Sequence, residues 1–467
     1  MLYAVLRQMA RLALRWYYSE IDIVGVERVP LDVPLLVVAN HPNAVVDPML
    51  VASTLPRRLT FTGKATLFEN PLLRVFLRAV GMVPLRRASD ERARRGAGGA
   101  PDPRRNADAF RAVIEALAAR RAVLVFPEGK SHDDPTIAPL KTGTARMALQ
   151  AREAGVRDIA ILPIGFVFED KARPRTRILV EVGEPLRVDE WAGDRANLVD
   201  ALTAEIDRRL RALTMNYDTM AEAAEVSRFA TALAAEGPGP LGSGTTYAET
   251  VAVARRVAAG RRLLATTGET APGLAMRAAA LRTELHALEE TAGRHGLDLR
   301  DATIDTSLGS GALFALREGA IALAGVPLAL IGRVLHWPAI TVAGAVARTR
   351  SRSGSDPAMQ TIVTGAPLVL LTWLAIAALA WRVGGALASI ATLALLPALA
   401  LCDVALRDRA HRAAARARAW LTFRGDPGFQ RRLVAGLSSA RNEAVQLEEE
   451  LSAGRELPSA PRSRTSA

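Results

Sequence analysis

Cysteine and aromatic residues are scarce in this chain, and both scarcities restrict its function. The 467 residues include one cysteine, Cys402, so no internal disulfide can form and no oxidising compartment is required. With one cysteine and six histidines that form no ligand-spaced cluster, we expect no bound metal. Aromatic residues make up 5% of the sequence and no nucleic-acid-binding module is recognisable, so the net charge of +12 does not predict a nucleic-acid partner.

Lysine is also scarce, because arginine carries nearly all of the positive charge. This charge favours anionic partners such as membrane lipids or phosphorylated small molecules. The lysines all lie between residues 20 and 214, at Lys64, Lys130, Lys141 and Lys171. In a chain that uses arginine elsewhere, a retained lysine indicates a position that favours a compact ammonium group. We interpret Lys64 and Lys141 as phosphate contacts, the alternative being chance clustering of a rare residue.

Residues 1–19 predict a basic amphipathic helix. Arg7, Arg11 and Arg15 recur at four-residue spacing along one face, and apolar residues cover much of another. The arginines interrupt the apolar centre that a signal peptide requires. We predict that this helix lies on a membrane surface, and a helix docked on the protein core is the alternative.

Residues 20–214 alternate between short β-rich runs and helical stretches, which is typical of a layered α/β fold. The candidate strands are 21–26, 35–39, 59–62, 83–85, 123–126, 159–164 and 178–182. Residues 215–310 are polar, rich in alanine and broken by glycine and proline, so they predict an all-α connector without a catalytic signature.

Two uncharged runs near the C-terminus, residues 361–381 and 383–402, flank the lone Arg382. At 1.5 Å per residue each run reaches ~30 Å, the thickness of a bilayer's hydrocarbon core. They predict a transmembrane helical hairpin, followed over 403–467 by a helical tail with a disordered end. A buried soluble hairpin is the alternative, although uncharged runs of this length are uncommon in soluble cores.

Flanking charge predicts the orientation of this hairpin. Arginines precede it and follow it, so both of its ends, and with them the catalytic part, are expected on the cytoplasmic side of the membrane. The earlier apolar stretch 319–347 contains Arg333, His336 and Pro338. We expect it to fall into pieces that form a re-entrant or interfacial element within a membrane region spanning 311–402.

A histidine and an aspartate follow the second candidate strand closely. His41 and Asp47 stand in the segment ANHPNAVVDP (39–48), and the later segment FPEGKS (126–131) contains Glu128 and Gly129. An imidazole beside a carboxylate is the minimal machinery for removing a proton from an alcohol. The carboxylate fixes the tautomer of the ring and leaves its other nitrogen to act as the base.

These two segments resemble the first and third blocks of the glycerolipid acyltransferase family. GMVPLRR (81–87) resembles the second block and ILPIG (161–165) the fourth, so four ordered blocks cover roughly residues 20–190. The chain departs from the family in having five residues, where four are usual, between His41 and Asp47, and Lys130 in place of threonine. The longer spacing is similar to that of the branch with the fungal-type glycerol-3-phosphate acyltransferases.

The resemblance implies an acyltransferase-type layered fold around a mixed, mostly parallel sheet. It makes His41 the general base and Asp47 its partner, with Asn40 and Asn43 orienting the loop or donating to the developing oxyanion. Pro163 would line the acyl channel. The residues implied to contact the acceptor or its phosphate are Lys64, Arg87, Glu128, Gly129 and Lys141. The adjacent His132 and Asp133 are interpreted as a polar loop.

The expected reaction moves a fatty acyl group from a thioester of coenzyme A or acyl carrier protein to sn-glycerol 3-phosphate or 1-acyl-sn-glycerol 3-phosphate. No acyl-enzyme and no cofactor are expected, because the thioester is a co-substrate. Two alternatives stay open. One is a catalytically inactive membrane protein that binds phosphorylated lipids, and the other is acylation of a non-glycerol acceptor, for which Arg87 would have no evident use.

Overall fold

The computed structural model describes residues 2–85, 107–234, 246–267, 271–350 and 356–453, which fall into two compact units. One unit contains Met1–Met220 and Val326–Ala405, and the other contains Ala221–Gly325 and Leu406–Ala467. The predicted boundaries therefore change, because most of the connector and most of the tail belong to one unit. The predicted disordered end lies outside the described residues.

Within the described part of the first unit, eight strands form one sheet in the order β1-β7-β6-β2-β5-β3-β4, with β8 paired to β6. The strands are β1 (Glu20–Val24), β2 (Leu35–Ala39), β3 (Leu59–Lys64), β4 (Val83–Leu85), β5 (Ala122–Val125), β6 (Ala160–Phe168), β7 (Arg177–Val182) and β8 (Leu186–Arg187). Strands β6, β2, β5, β3 and β4 run parallel to one another, whereas β6 pairs antiparallel with β7 and β8. The prediction of a mixed, mostly parallel sheet is confirmed.

Strand β2 lies in the middle of the sheet because every one of its residues is apolar. Leu35 pairs with Ala122 of β5 on one side and with Ala160 of β6 on the other. Leu35 and Val37 pack into the apolar layer on one face of the sheet, and Leu36 and Val38 pack into the layer on the other. A parallel strand covered on both faces has this continuous apolar sequence.

Helices of the first unit cover both faces of this sheet. They are α1 (Leu2–Tyr17), α2 (Val46–Thr54), α3 (Pro71–Ala79), α4 (Ala107–Ala118), α5 (Gly143–Glu153) and α6 (Arg195–Leu213). Side chains of α1 and α2 belong to the apolar layer on one face. Side chains of α4, α5 and α6 belong to the layer on the other face.

Helix α1 docks on α2, which is the alternative to the predicted membrane-surface helix. Leu14 and Tyr17 are buried in the core of the first unit. Arg7 donates to the carbonyl oxygen of Leu55 at 2.5 Å, and Arg11 donates to that of Ser53 at 3.0 Å. These carbonyl groups lie at the C-terminal end of α2, where the helix leaves acceptors unpaired. The arginine stripe therefore serves the end of a neighbouring helix.

The second unit is helical in its described residues. Its helices are α7 (Met220–Ala234), α8 (Tyr247–Thr267), α9 (Pro272–Arg294) and α12 (Pro427–Ala453), together with parts of two longer helices. One apolar cluster includes Phe229, Leu285, Phe423 and Leu433. It joins the stretch predicted as a connector (215–310) to the stretch predicted as a tail (403–467). Burial of this cluster explains why these separate stretches of sequence form a single unit.

The two longer helices are α10 (Leu308–Arg350) and α11 (Asp356–Gly425), and both are long and apolar enough to cross a membrane. Only 6% and 11% of the residues in their most apolar windows are buried in the protein, in contrast to the core helix of a soluble protein. Helix α11 is interrupted by a non-helical residue at Gly385 (φ 68°, ψ −161°), close to the turn predicted at Arg382.

Helix α10 is continuous, so the prediction that 319–347 falls into pieces is wrong. The polar residues in this stretch have partners on α11. Arg333 pairs with Asp403 at 3.0 Å, and the Nε2 atom of His336 accepts a hydrogen bond from Nε1 of Trp373 at 2.6 Å. Proline is tolerated in a helix of this kind because neighbouring helices satisfy the freed backbone groups.

Candidate active site

The candidate site lies at the carboxyl edge of the parallel strands. His41 follows β2, Glu128 follows β5, and Lys64 is the last residue of β3. Because β2 pairs with β5 and β5 pairs with β3, all in parallel, the ends of these strands lie side by side. Ligands of open α/β sheets bind at this edge. Arg87, predicted to bind the acceptor phosphate, lies outside the described residues.

Two asparagines hold the loop between β2 and α2. Asn40 donates from Nδ2 to the carbonyl oxygen of Phe166 at 3.1 Å and accepts at Oδ1 from the Phe166 amide at 2.8 Å. Asn43 is fully buried and donates from Nδ2 to the hydroxyl of Tyr18 at 3.1 Å. Both side chains are therefore engaged within the protein, which fits loop orientation and not donation to an oxyanion.

The loop brings His41 and Asp47 together. The Nδ1 atom of His41 lies 2.8 Å from Oδ2 of Asp47, and the same oxygen accepts from the backbone amide of Asn43 at 2.8 Å. The spacing of five residues places Asp47 in the first turn of α2, where the helix dipole favours a negative charge. The Asp47 side chain is 0% exposed, and that of His41 is 12% exposed.

The environment of the pair fixes the ring and perturbs the acid. Burial raises the pKa of Asp47, and the hydrogen bond from His41 opposes this shift, as does the charge of Lys171. The imidazole stacks on Phe126, with ring centroids 3.9 Å apart and planes inclined by 12°. Among the described residues nothing hydrogen-bonds to Nε2 of His41, so this nitrogen is available to a substrate.

Glu128 braces the His41 loop. Its side chain is buried, with Oε1 accepting from the backbone amide of His41 at 2.7 Å and Oε2 accepting from that of Ala138 at 2.8 Å. Oε2 also contacts Nε2 of His132. The family resemblance implies that Glu128 contacts the acceptor, but in the structure both of its oxygens are engaged inside the protein. A glutamate that holds the backbone amide of His41 fixes the position of the ring.

His132 and Lys171 are parts of the site that the sequence analysis did not assign to it. His132 contacts Glu128 through Nε2, and its Nδ1 lies 3.2 Å from Oδ2 of Asp134. The spacing Glu-x-x-x-His was its sequence signal. Lys171 donates to the carbonyl oxygens of Pro42 at 3.2 Å and His132 at 3.0 Å. It thereby ties the His41 loop to the loop after β5, and its signal was the rarity of lysine.

The other predicted site residues occupy distinct places. Gly129 has φ +75°, and a Cβ atom there would lie 2.7 Å from Nζ of Lys141, so glycine lets this lysine lie over the turn after β5. Pro163 is buried within β6 and pairs with Val38 of β2. Its place in a strand agrees with the sequence, and the prediction that it lines an acyl channel stays a prediction. No group of three or more metal-ligating side chains occurs among the described residues.

Comparison with known proteins agrees with this geometry. The family model described as Acyltransferase matches residues 20–167, which contain the His41–Asp47 pair and Glu128. The chain contains an acyltransferase domain. The resemblance that the sequence motifs indicate is confirmed.

Two relatives of the acyltransferase domain are yeast proteins. Glycerol-3-phosphate O-acyltransferase 2 of Saccharomyces cerevisiae is 35% identical over 124 residues, which are 25% of this chain and 17% of the yeast protein. Glycerol-3-phosphate O-acyltransferase 1 of the same yeast is 35% identical over 80 residues, 17% of this chain and 10% of the relative. The chain thus spans less than a fifth of the length of these relatives.

Among solved structures, the 1-acyl-sn-glycerophosphate acyltransferase of Thermotoga maritima aligns with 45% of this chain and 79% of its own, with 20% identity and a TM-score of 0.35.

Proposed function

We propose that this protein transfers a fatty acyl group from a thioester of coenzyme A or acyl carrier protein to a hydroxyl of a glycerophosphate. The acceptor is sn-glycerol 3-phosphate or its 1-acyl derivative, and the similarity to the yeast glycerol-3-phosphate O-acyltransferases favours the former. The observation that carries the proposal is the contact of 2.8 Å between Nδ1 of His41 and the buried Asp47. It leaves Nε2 as the base at the edge of the sheet.

The proposed mechanism is a direct transfer without an acyl-enzyme. Asp47 accepts a hydrogen bond from Nδ1–H and so holds the neutral tautomer, and Nε2 of His41 removes the hydroxyl proton as the oxygen attacks the thioester carbonyl. The new C–O bond forms, the C–S bond breaks, and the imidazolium returns the proton to the leaving thiolate. General-base catalysis of this kind supplies about 10²–10⁴-fold in rate. No cofactor takes part.

Cationic side chains are proposed to hold the acceptor phosphate. Lys64 ends β3 at the same edge as the histidine, and Lys141 lies over Gly129. Arg87 supplies the third cation by its position in the family motif, because a guanidinium binds two phosphate oxygens at once. The positive charges at these positions favour a phosphorylated acceptor over a neutral one, because a phosphate is attracted to each of them.

We also propose that the reaction takes place on the cytoplasmic side of a membrane. The support is the length and apolar composition of α10 and α11, together with arginines on either side of the uncharged stretch, at Arg348, Arg350, Arg407, Arg409 and Arg412. The acyl thioester carries charged groups that stay in water while its acyl chain lies in the bilayer, and the phosphorylated acceptor also presents its charge to water.

Acyl transfer by the purified full-length chain tests the proposal. The protein is given labelled glycerol 3-phosphate, its 1-acyl derivative or a neutral monoacylglycerol, with an acyl-coenzyme A donor. We expect transfer to a phosphorylated acceptor, its loss in His41→Ala, and its retention in a matched variant of an exposed histidine, His411→Ala. Undiminished transfer in His41→Ala would refute the mechanism. Phospholipid binding without transfer to any acceptor would refute the proposed activity.

A further inference from the structure

An apolar cleft lies between α1, α10 and α11, and all of its lining residues belong to the first unit. The lining includes Leu12 and Trp16 of α1, Ile340 of α10, and Ala366, Val369 and Trp373 of α11. The cleft has a volume of about 110 Å³. Since an apolar cavity of ~150 Å³ holds benzene, this one has room for the last few carbon atoms of a hydrocarbon chain.

His336 and Trp373, two of the side chains that line the cleft, already have hydrogen-bond partners. The Nδ1 atom of His336 lies 2.7 Å from the carbonyl oxygen of Gly332, and Nε2 accepts from Trp373 at 2.6 Å. Thr361 and the indole of Trp16 carry the other polar side-chain groups of the described lining. A polar ligand would lose its hydration here with few partners to replace water, whereas a hydrocarbon chain loses nothing.

The cleft borders the apolar layer behind the catalytic loop. Ile362 of α11 lines the cleft and also belongs to the buried cluster that contains Tyr18 and Val46. Tyr18 accepts the hydrogen bond from Asn43, and Val46 precedes the catalytic aspartate in sequence. Two walls of the cleft are the candidate membrane spans, so a hydrocarbon chain from a bilayer is a chemically matched occupant.

We propose that this cleft receives the terminal segment of the donor's acyl chain and thereby sets the length of chain that is transferred. The inference depends on the proposed acyl transfer. It gives the acyl chain a site in α1, α10 and α11, a place that the sequence analysis had given to Pro163. A side chain that fills the cleft then shortens the preferred chain, and one that enlarges it lengthens the preferred chain.

Two matched valines on α11 test the proposal. Val369 lines the cleft, whereas Val363 is 51% exposed on the same helix. For the full-length chain in detergent, kcat/KM is measured with hexadecanoyl- and octanoyl-coenzyme A. We expect Val369→Phe to lower the ratio of the long to the short donor at least about tenfold, as expected for a filled apolar pocket, and Val363→Phe to leave it unchanged. Val369→Ala should raise it.

Two results would overturn the proposal: an unchanged ratio in Val369→Phe, or the same change in Val363→Phe. If the wild type transfers neither donor, the proposed function fails, and the cleft is judged separately by cross-linking with hexadecanoyl-coenzyme A that carries a terminal diazirine. Labelling of cleft residues that falls at least about fivefold in Val369→Phe supports the site. Labelling of residues outside the cleft overturns the proposal. Labelling that excess phosphatidylcholine abolishes also overturns it, because the cleft is then a site for bilayer lipid.

Discussion

Asp47 and Asp403 are both buried aspartates, but their partners differ. Asp47 lies beside His41 at the edge of the sheet, and Asp403 lies beside Arg333 between α10 and α11. An imidazole gains and loses a proton near neutral pH, whereas a guanidinium keeps its proton in proteins. Burial alone therefore does not identify a working acid. The partner decides whether the pair can move a proton or only hold two helices together.

The histidines near the two aspartates make the same point. His41 has one ring nitrogen on Asp47 and no described partner at the other. His336, one helical turn from Arg333, uses both nitrogens, on Gly332 and Trp373. A ring with both nitrogens engaged can stabilise packing but cannot accept a substrate proton without breaking a bond. The sheet edge is thus the region where a nitrogen is kept available.

Asp47→Asn should give the largest loss and tests the comparison directly. An asparagine in this place keeps an oxygen that accepts from the Asn43 amide. It has no negative charge, so it no longer holds the imidazole of His41 as the carboxylate does. We expect kcat/KM to fall by about 10²–10⁴-fold, the range of general-base catalysis. Steady-state transfer to glycerol 3-phosphate measures it, and activity within about threefold of the wild type would show that Asp47 does not orient the base.

The same substitution should not destabilise the protein at neutral pH. Burial raises the pKa of Asp47 above its usual 3.8. The protonated group therefore contributes to folding stability below pH 3.8, and this contribution is lost as pH rises through the raised pKa. Asparagine carries no such cost. Thermal unfolding of both proteins from acidic to neutral pH should show Asp47→Asn gaining on the wild type as pH rises, and a widening deficit would contradict this sign.

Glu128→Gln should have the next largest effect. An amide has one oxygen for the two backbone amides of His41 and Ala138, so one buried donor meets an NH₂ group. The unsatisfied pair costs about 1–3 kcal/mol of folding free energy. We expect kcat to fall roughly tenfold or more through misplacement of the ring, with little change in KM for the acceptor. Glu27→Gln, on the surface, is the control, and a rise in KM alone would restore acceptor binding as the role of Glu128.

Lys171→Gln should have a smaller effect that depends on pH. Lys171 links Pro42 to His132, and its charge lowers the pKa of Asp47. Removing the charge raises the pKa of the acid, so the acid limb of the pH profile of kcat/KM should move to higher pH, with a loss of about threefold to tenfold on the plateau. Lys130→Gln, an exposed lysine of the neighbouring loop, should leave the profile in place. If kcat/KM falls equally at every pH and the acid limb does not move, Lys171 only holds the two loops in place.

The proximity of His41 and Asp47 was predicted from the sequence because its determinants are local. A buried strand ends before His41 and a helix begins at Val46, so the sequence spacing alone brings the two side chains to one loop. Glu128 was placed at the site, but its role was not predicted, because its partners are backbone amides, which have no sequence signature. Lys171 was missed as a site residue for a related reason, since its contacts depend on how the chain returns after β6.

Errors in the apolar regions have a different cause. Arg333 and His336 were interpreted as breaks in a helix because their partners, Asp403 and Trp373, lie on a different helix. The carbonyl groups that Arg7 and Arg11 contact belong to α2 and the residue after it, so the spacing of the arginines along α1 could not reveal them. In each case the deciding contact is tertiary.

Asp403→Asn should have the smallest effect on turnover and so completes the comparison with Asp47→Asn. The substitution removes the negative charge beside Arg333 but keeps an oxygen that can accept from its guanidinium, so the loss of stability should be about 1–3 kcal/mol. Turnover with glycerol 3-phosphate should stay within about twofold of the wild type. For each of the two Asp→Asn variants, kcat and thermal unfolding are measured. The comparison then shows whether the sheet edge or the helix pair contributes to turnover. A large loss of turnover in a stably folded Asp403→Asn variant would mean that the helix pair takes part in catalysis. Because Arg333 cannot release a proton, Asp403 would then act through the positions of α10 and α11.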